Sequence, residues 1–445
     1  MIPSSDPVLA HASGMSLPEL LRHLEAQRAC AIQLIENQNR LLAGCLPSSG
    51  QGPQASPPTL AVAAPSALPT RPRSTGKVVS LFDYAKPGHG QPVQPQPDTS
   101  APPTETRTPD YAIFLESDLN PDHPHQAVVE SLINAYSADE AMAFKRKQIG
   151  DAIFLSSSRK GFFFHKCHAG MLFSPCYVGA MEDYADTLGE LKTYAAEKEL
   201  QVNLMAQEMH VQALKAQGFS TTPMGIWQTI NPIAEFTLEG QAMRRLRYLV
   251  NKYQKLGQCR TVEYVAGTVP ETDQAICAIV DLWFVLKEKT PPLLIDFKDK
   301  ILTGRIPKVH RIFLTYRDAQ LDNVLVFSRD NLNDGYLMDL EFYAKDVPLG
   351  STEFALTEII ELFKQEGRRS ISLGATLGTE LFEHENGAKE VYDTLLQLKT
   401  AGYQDGDANA QYKNKYRPIT TPYYIARPHG SGRRKLNELI FLFGS

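Results

Sequence analysis

The chain has 445 residues, 43% of them hydrophobic, and a formal net charge of -5. That length holds two or three domains with real cores, and the charge excludes a wholly basic nucleic-acid binder while leaving room for a local basic patch. The six cysteines (Cys30, Cys45, Cys167, Cys176, Cys259 and Cys277) show no paired spacing, which excludes a disulfide scaffold and fits a reducing compartment.

No basic segment followed by an apolar core opens the chain, and no run approaches the ~18–20 apolar residues of a membrane-spanning helix. The expectation is a cytoplasmic protein with no transmembrane segment, at most peripheral to a membrane. Residues 16–44 read as one helix. Ser16 and Glu19 form a capping-box pattern, Pro18 sits in the first turn and Gly44 is the stop. Its leucine-rich stripe, broken by Gln38, needs a surface to cover it. That surface is either the protein itself or a partner, including self-association. Residues 45–109 carry fourteen of the thirty prolines and read as a disordered linker. One apolar island, residues 78–84, is either a docking motif or tolerated linker sequence.

From about Asp110 the composition becomes globular. Phe162–Phe164 and Met171–Phe173 read as adjacent strands joined at Ala169-Gly170. A helix is expected over Glu182–Glu199, a strand over Gln201–Met205 and a helix over His210–Gln217. A similar rhythm follows over 262–428: helix Glu271–Lys289, strands Arg311–Tyr316, Asn323–Ser328 and Tyr336–Phe342, helix 352–366 and strand 370–374. Two passes through one α/β pattern predict a duplicated pair of domains sharing a cleft, over 110–234 and 235–445. Between them, residues 236–257 read as mostly helical. Met243, Leu246, Leu249, Val250 and Tyr253 form an apolar stripe, and Arg244, Arg247, Asn251 and Lys255 fall on another face. That face is either a solvated surface or a phosphate track.

The segment Asp346-Val347-Pro348-Leu349-Gly350-Ser351-Thr352 joins a strand to a helix N-terminus. Free backbone N–H groups at such a place make an anion site, of the kind that acyltransferases of the GNAT type use for an acyl carrier. No Gly-x-Ser-x-Gly elbow, Walker loop or dinucleotide fingerprint is present. His165, Lys166, Cys167 and His168 with Cys176 match no structural zinc spacing, so no metal and no tightly bound cofactor is expected.

Several motifs, in order, resemble the phosphatidylglycerol lysyltransferase C-terminal domain family. They are Phe236–Gly240 with Met243–Arg247 and Asn251-Lys252; Met338-Asp339-Leu340; Asp346–Phe354; Ser372-Leu373-Gly374; and Tyr412-Lys413-Asn414-Lys415-Tyr416-Arg417-Pro418 with Pro422 and Tyr424. The resemblance covers about residues 140–428. It implies two tandem GNAT-like domains, mixed sheets flanked by helices, and transfer of an aminoacyl group from aminoacyl-tRNA to a lipid head group or small molecule. Two departures stand out. Ser174-Pro175-Cys176-Tyr177 replaces the common Gly-Asp-Pro turn, and Phe342 replaces an Arg three residues after the strand Asp. They favour a small-metabolite acceptor.

An activated ester needs positioning, a base and oxyanion stabilisation. In a regular strand Asp339 and Glu341 share a face. The resemblance favours Asp339, as base or as the ligand of the donor's amino group. Lys413, Lys415 and Arg417 are candidate clamps for the terminal tRNA phosphates. Tyr416 is either a proton donor or a packed aromatic. Gly350, Ser351, Thr352 and Gly374 are candidate substrate-binding backbone, with Arg244, Arg247, Asn251 and Lys255 as the track. An acyl-CoA-dependent N-acyltransferase and a non-catalytic scaffold remain alternatives.

Overall fold

The computed structural model describes residues 110–146, 150–287, 292–402, 406–432 and Leu436, which all fall in one compact unit. The helix expected over 16–44, the linker over 45–109 and the island at 78–84 lie outside the described residues.

The apolar runs expected as strands are the middles of longer ones. Those of the first half are β1 (Ala112–Leu115), β2 (Ala152–Leu155), β3 (Gly161–His168), β4 (Met171–Gly179), β5 (Gln201–Gln207) and β6 (Phe219–Ile230). Those of the second are β7 (Cys259–Tyr264), β8 (His310–Arg317), β9 (Gln320–Asp330), β10 (Gly335–Tyr343), β11 (Ser370–Leu377) and β12 (Ile419–Pro428). Nine α-helices are present among the described residues. They are α1 (Gln126–Tyr136), α2 (Tyr184–Glu197), α3 (Val211–Ala216), α4 (Arg244–Gln254), α5 (Pro270–Lys287), α6 (Pro292–Leu302), α7 (Ser351–Gln365), α8 (Lys389–Thr400) and α9 (Asp407–Asn414). The helix expected from Phe236 begins only at Arg244. Gly240, at φ +80, belongs to the turn before it.

The strands form one sheet in the order β1-β2-β3-β4-β5-β12-β6-β11-β10-β9-β8-β7. The two halves repeat a unit. In each, two strands pair in parallel across a connection that carries a helix: β4 with β5 around α2, and β10 with β11 around α7. The repeat does not break the sheet. β12, from the second half, pairs with both β5 and β6 of the first, and β6 pairs with β11. The expected boundary between 234 and 235 therefore separates repeats in sequence, while the strands of the halves interleave.

Apolar periodicity decides which helix covers which face. α4 buries Leu246, Val250 and Tyr253, and α7 buries Phe354, Ile359, Ile360 and Phe363, in one core with Phe327, Met338 and Ile371. On the other face α5 and α6 close over Ile312, Val324, Leu340 and Phe342, together with Phe144. Each well-buried Leu, Ile or Phe contributes roughly 1.5–3 kcal/mol. Such layers cover β8–β11 on both faces and frame the site.

Candidate active site

Two β-bulges open the sheet. β10 and β11 pair in parallel only from Gly335–Leu337 to Ser370–Ser372. The register of β10 against β9 slips between Met338 and Leu340, and that of β11 against β6 slips between Ser372 and Gly374. A bulge bends its strand and increases its twist, so the strands part beyond these points. Between them lies a cavity of about 450 Å³, lined by Met338 to Phe342, Leu373, Gly374, Ala375, Trp227, Lys145 and Lys413 among others.

The bulge also corrects one expectation. Met338 packs with α4 and α7, whereas Leu340 and Phe342 pack with α5 and α6. The alternation changes phase at Asp339, so Asp339 and Glu341 do not share a face as they would in a regular strand. Both still line the cavity, because it lies where β10 has left β11.

Asp339 is 3% exposed. Its Oδ2 accepts the Phe144 N–H at 2.6 Å and the Ser328 hydroxyl at 2.8 Å, while its Oδ1 has no hydrogen-bond partner. Burial pushes the carboxyl above its ordinary range; the Lys145 charge, the Phe144 N–H, the Ser328 hydroxyl and the nearby Lys145 backbone N–H hold it back. Burial also raises Glu341, with Lys145, Lys413 and Lys415 opposing and Glu353 adding to the rise.

Lys413 projects from α9 and is 5% exposed. Its Nζ donates to the Gly374 and Ala375 carbonyls at 3.2 and 3.1 Å and to Thr376 Oγ1 at 3.0 Å. Burial and the nearby Lys145 charge pull its pKa down to about 7, against the pull of Glu341. Near neutral pH it is therefore divided between ammonium and amine, a common condition of groups that move protons.

A second cavity of about 580 Å³ lies over the start of α7 and is lined by Val347 to Glu353, Tyr412 and Lys415. It shares Trp283, Glu341 and Asn409 with the first. Gly350 caps α7 at φ +99, and a Cβ there would lie 2.2 Å from the Leu249 carbonyl oxygen, so only glycine lets α4 approach this closely. Ser351 is buried and accepts a hydrogen bond from the Asn323 amide. Glu353, in the first turn of α7, is buried and ion-paired to Lys415, which also lies 4.2 Å over the Tyr412 ring. The positive end of α7 thus already holds a carboxylate of its own.

The remaining expected site residues lie elsewhere. Arg244, Arg247, Asn251 and Lys255 line neither cavity. Arg247 is tied to the Leu238 and Gly240 carbonyls, and Arg417 donates to the Ala242 carbonyl at 3.2 Å. The expected basic track therefore does not reach the cavity of Asp339 and Lys413. Its apolar stripe has to face the core, which turns Arg244, Asn251 and Lys255 out to solvent. Tyr416, 1% exposed, packs in the α4–α7 core and lines neither cavity, so its placement speaks for packing over proton donation. Tyr412, one turn earlier, lines the second cavity. Sequence reasoning missed Lys145, which stands nearly two hundred residues from Asp339. It also passed over Trp227 and Trp283, although they are the only two tryptophans in the chain and both line the first cavity.

Residues 149–427 match the family model described as phosphatidylglycerol lysyltransferase, C-terminal. No curated protein matches the chain. Among solved structures it is similar to a domain from Agrobacterium fabrum described as the C-terminal domain of a lysylphosphatidylglycerol synthetase. That similarity has 16% identity and a TM-score of 0.56, and covers 71% of this chain and 96% of the other. It is also similar to L-PGS from Bacillus licheniformis, at 13% identity and a TM-score of 0.57, with 73% and 98% of the two chains covered. A conserved protein of unknown function from Bacteroides thetaiotaomicron matches at 11% identity and a TM-score of 0.52, covering 72% of this chain and 99% of the other. At these identities the structural likenesses carry the fold alone, which is the expected tandem GNAT-like one. The family match spans well over half of the sequence, and the chain belongs to the phosphatidylglycerol lysyltransferase C-terminal family.

Proposed function

We propose that this chain moves an aminoacyl group from aminoacyl-tRNA to an amine or hydroxyl acceptor, a lipid head group or a small molecule. One observation carries the reading: the gap between β10 and β11 holds the buried Asp339 carboxylate, the half-buried Glu341 carboxylate and the buried Lys413 together, where a cationic amino acid and its reacting ester would both find partners. In this reading Glu341 pairs with the donor's ammonium group. The acceptor adds to the ester carbonyl and gives its proton to Asp339. Lys145 and Lys413 stabilise the oxyanion. The ester C–O bond then breaks, and the tRNA ribose oxygen leaves with the proton that Asp339 had accepted, which restores the carboxylate. The positive charge that the family's Arg would bring near Asp339 is supplied by Lys145, because Phe342 is buried beside Trp283 and Phe297.

The acyl-CoA alternative is disfavoured by Glu353. A pyrophosphate at the start of α7 would meet a buried carboxylate already paired with Lys415. Arg244, Asn251 and Lys255, exposed on α4, would meet the tRNA body and not its acylated end. No described helix is long and apolar enough to cross a membrane, so a lipid acceptor would be met at the bilayer surface.

The test is incubation of the purified protein with a pool of charged tRNAs and a cell extract. New aminoacylated products are read by mass spectrometry. Products that vanish after RNase treatment, and with Asp339→Asn, are expected. Products that survive RNase would refute a tRNA donor.

A further inference from the structure

We propose that His310 and Ser328 are positioning residues for Asp339, forming a directed hydrogen-bond chain that reserves one carboxylate oxygen for the ligand. His310 on β8 and Ser328 on β9 are register partners, and His310 Nδ1 lies 3.0 Å from Ser328 Oγ. Ser328 Oγ is in turn 2.8 Å from Asp339 Oδ2. All three are buried, at 8%, 0% and 3% exposure. Phe144 closes the group from outside the sheet. Its N–H donates to the same Oδ2, and its ring stacks on His310 at 4.1 Å between centroids.

The direction follows from counting protons. A backbone N–H can only donate, so Oδ2 already accepts one hydrogen bond from Phe144. Ser328 has one hydroxyl proton. If it went to His310, a serine lone pair would face the carboxylate oxygen with nothing between them. The chain therefore runs from His310 Nδ1–H to Ser328 Oγ and from Ser328 O–H to Asp339 Oδ2. With two donors on Oδ2, a proton taken up by Asp339 goes to Oδ1, the oxygen without a partner, on a residue that lines the cavity. His310 sets the tautomer that fixes the serine rotor, and the serine fixes which oxygen reacts. The other charged groups lining that cavity are Lys145, Arg146, Glu341 and Lys413; Arg146 is paired with Glu116, and none of the four side chains hydrogen-bonds Asp339 Oδ2.

This inference rests on the aminoacyl-transfer reading for its consequence, but not for its first measurement. That measurement is a double-mutant cycle in urea unfolding at pH 8, combining Ser328→Ala with Asp339→Asn in the full chain. A hydrogen bond to an ionised carboxylate predicts a coupling of about ten-fold or more in the unfolding constant. A coupling near one-fold overturns the proposal, whatever the protein transfers. The second measurement is the pH profile of transfer from the charged-tRNA pool. Removing a donor from the carboxylate moves the acid limb to higher pH in Ser328→Ala. It does the same in His310→Phe, which keeps the stacking on Phe144. His310→Asn, which keeps an N–H near the Nδ1 position, returns the limb towards wild type. Limbs that coincide in all four proteins overturn the proposal. Coupling in the cycle with no transfer by the wild type would sink the transfer reading and leave the positioning chain standing. Should His310→Phe fail to fold, Ser328→Ala, which loses a single oxygen, still decides.

Discussion

Replacing Lys413 by methionine tests the site's most perturbed cation. The amine is nearly enclosed, and its pKa falls from 10.5 to about 7. A base whose folded pKa is depressed stays protonated in the unfolded chain to higher pH than in the folded one. Between about pH 7 and 10.5 the unfolded state therefore binds more protons, and stability rises with pH. The limiting slope is about 1.4 kcal/mol per pH unit, and half-protonation at pH 7 softens its start. Summed from pH 7 to pH 9, the wild type gains about 2 kcal/mol from this one group. Methionine fills a similar volume and does not titrate, so the variant lacks this gain. Urea unfolding of both proteins from pH 6 to 10 reads the difference, in which other titrating groups cancel. At and below pH 7 the variant escapes the cost of a buried charge but strands the Gly374 and Ala375 carbonyls, at roughly 1 kcal/mol each. A difference curve that is flat from pH 7 to 9, or that slopes the other way, refutes the argument that burial governs Lys413. Transfer activity is expected to be lost at every pH.

Three further outcomes follow from the geometry. Asp339→Asn keeps the shape of the side chain and removes the base, so transfer falls by about a hundred-fold or more. Because burial raises the folded pKa of Asp339, the wild type loses stability as pH climbs from the ordinary carboxyl range through that raised value; the Asn variant does not, and its lead in melting temperature grows over that window. Gly350→Ala places a Cβ against the Leu249 oxygen at a positive φ, costing about 2 kcal/mol or more and separating α4 from α7, as urea unfolding would register. Lys415→Met leaves the Glu353 carboxylate buried and alone, a loss of about 3–5 kcal/mol that Glu353→Gln in the same chain recovers; an unchanged midpoint in the single variant would show that the pair contributes nothing.

Much of the fold was legible because its signals are local. The Phe162–Phe164 and Tyr336–Phe342 runs, the stop at Gly218 and the Gly350 junction each declare an element within a few residues. Asp339 and Lys413, which line one cavity, are marked in the sequence by the order of short motifs. What was not legible depends on register. No local pattern marks the slip at Asp339, yet it separates that carboxylate from Glu341. Nothing near Lys145 or Ser328 names Asp339 as a neighbour. Charge spacing identified the Arg244–Lys255 stripe, but which way a helix turns is decided by the apolar face opposite. β6 carries Pro223 within it and was passed over as a strand, although it lies between β12 and β11. Tyr412 and Tyr416 are one turn apart, and only packing tells which of them meets a cavity.

The place of β12 has a consequence for biosynthesis. During translation β5 and β6, which end at Gln207 and Ile230, emerge long before the strand that will lie between them, which begins only at Ile419. Until residues 419–428 arrive, both carry bare ladder edges able to recruit a neighbouring chain. A ribosome that stalls or stops short of Ile419 thus releases a product with an unfilled slot in its sheet, a ready substrate for holdase chaperones and proteases.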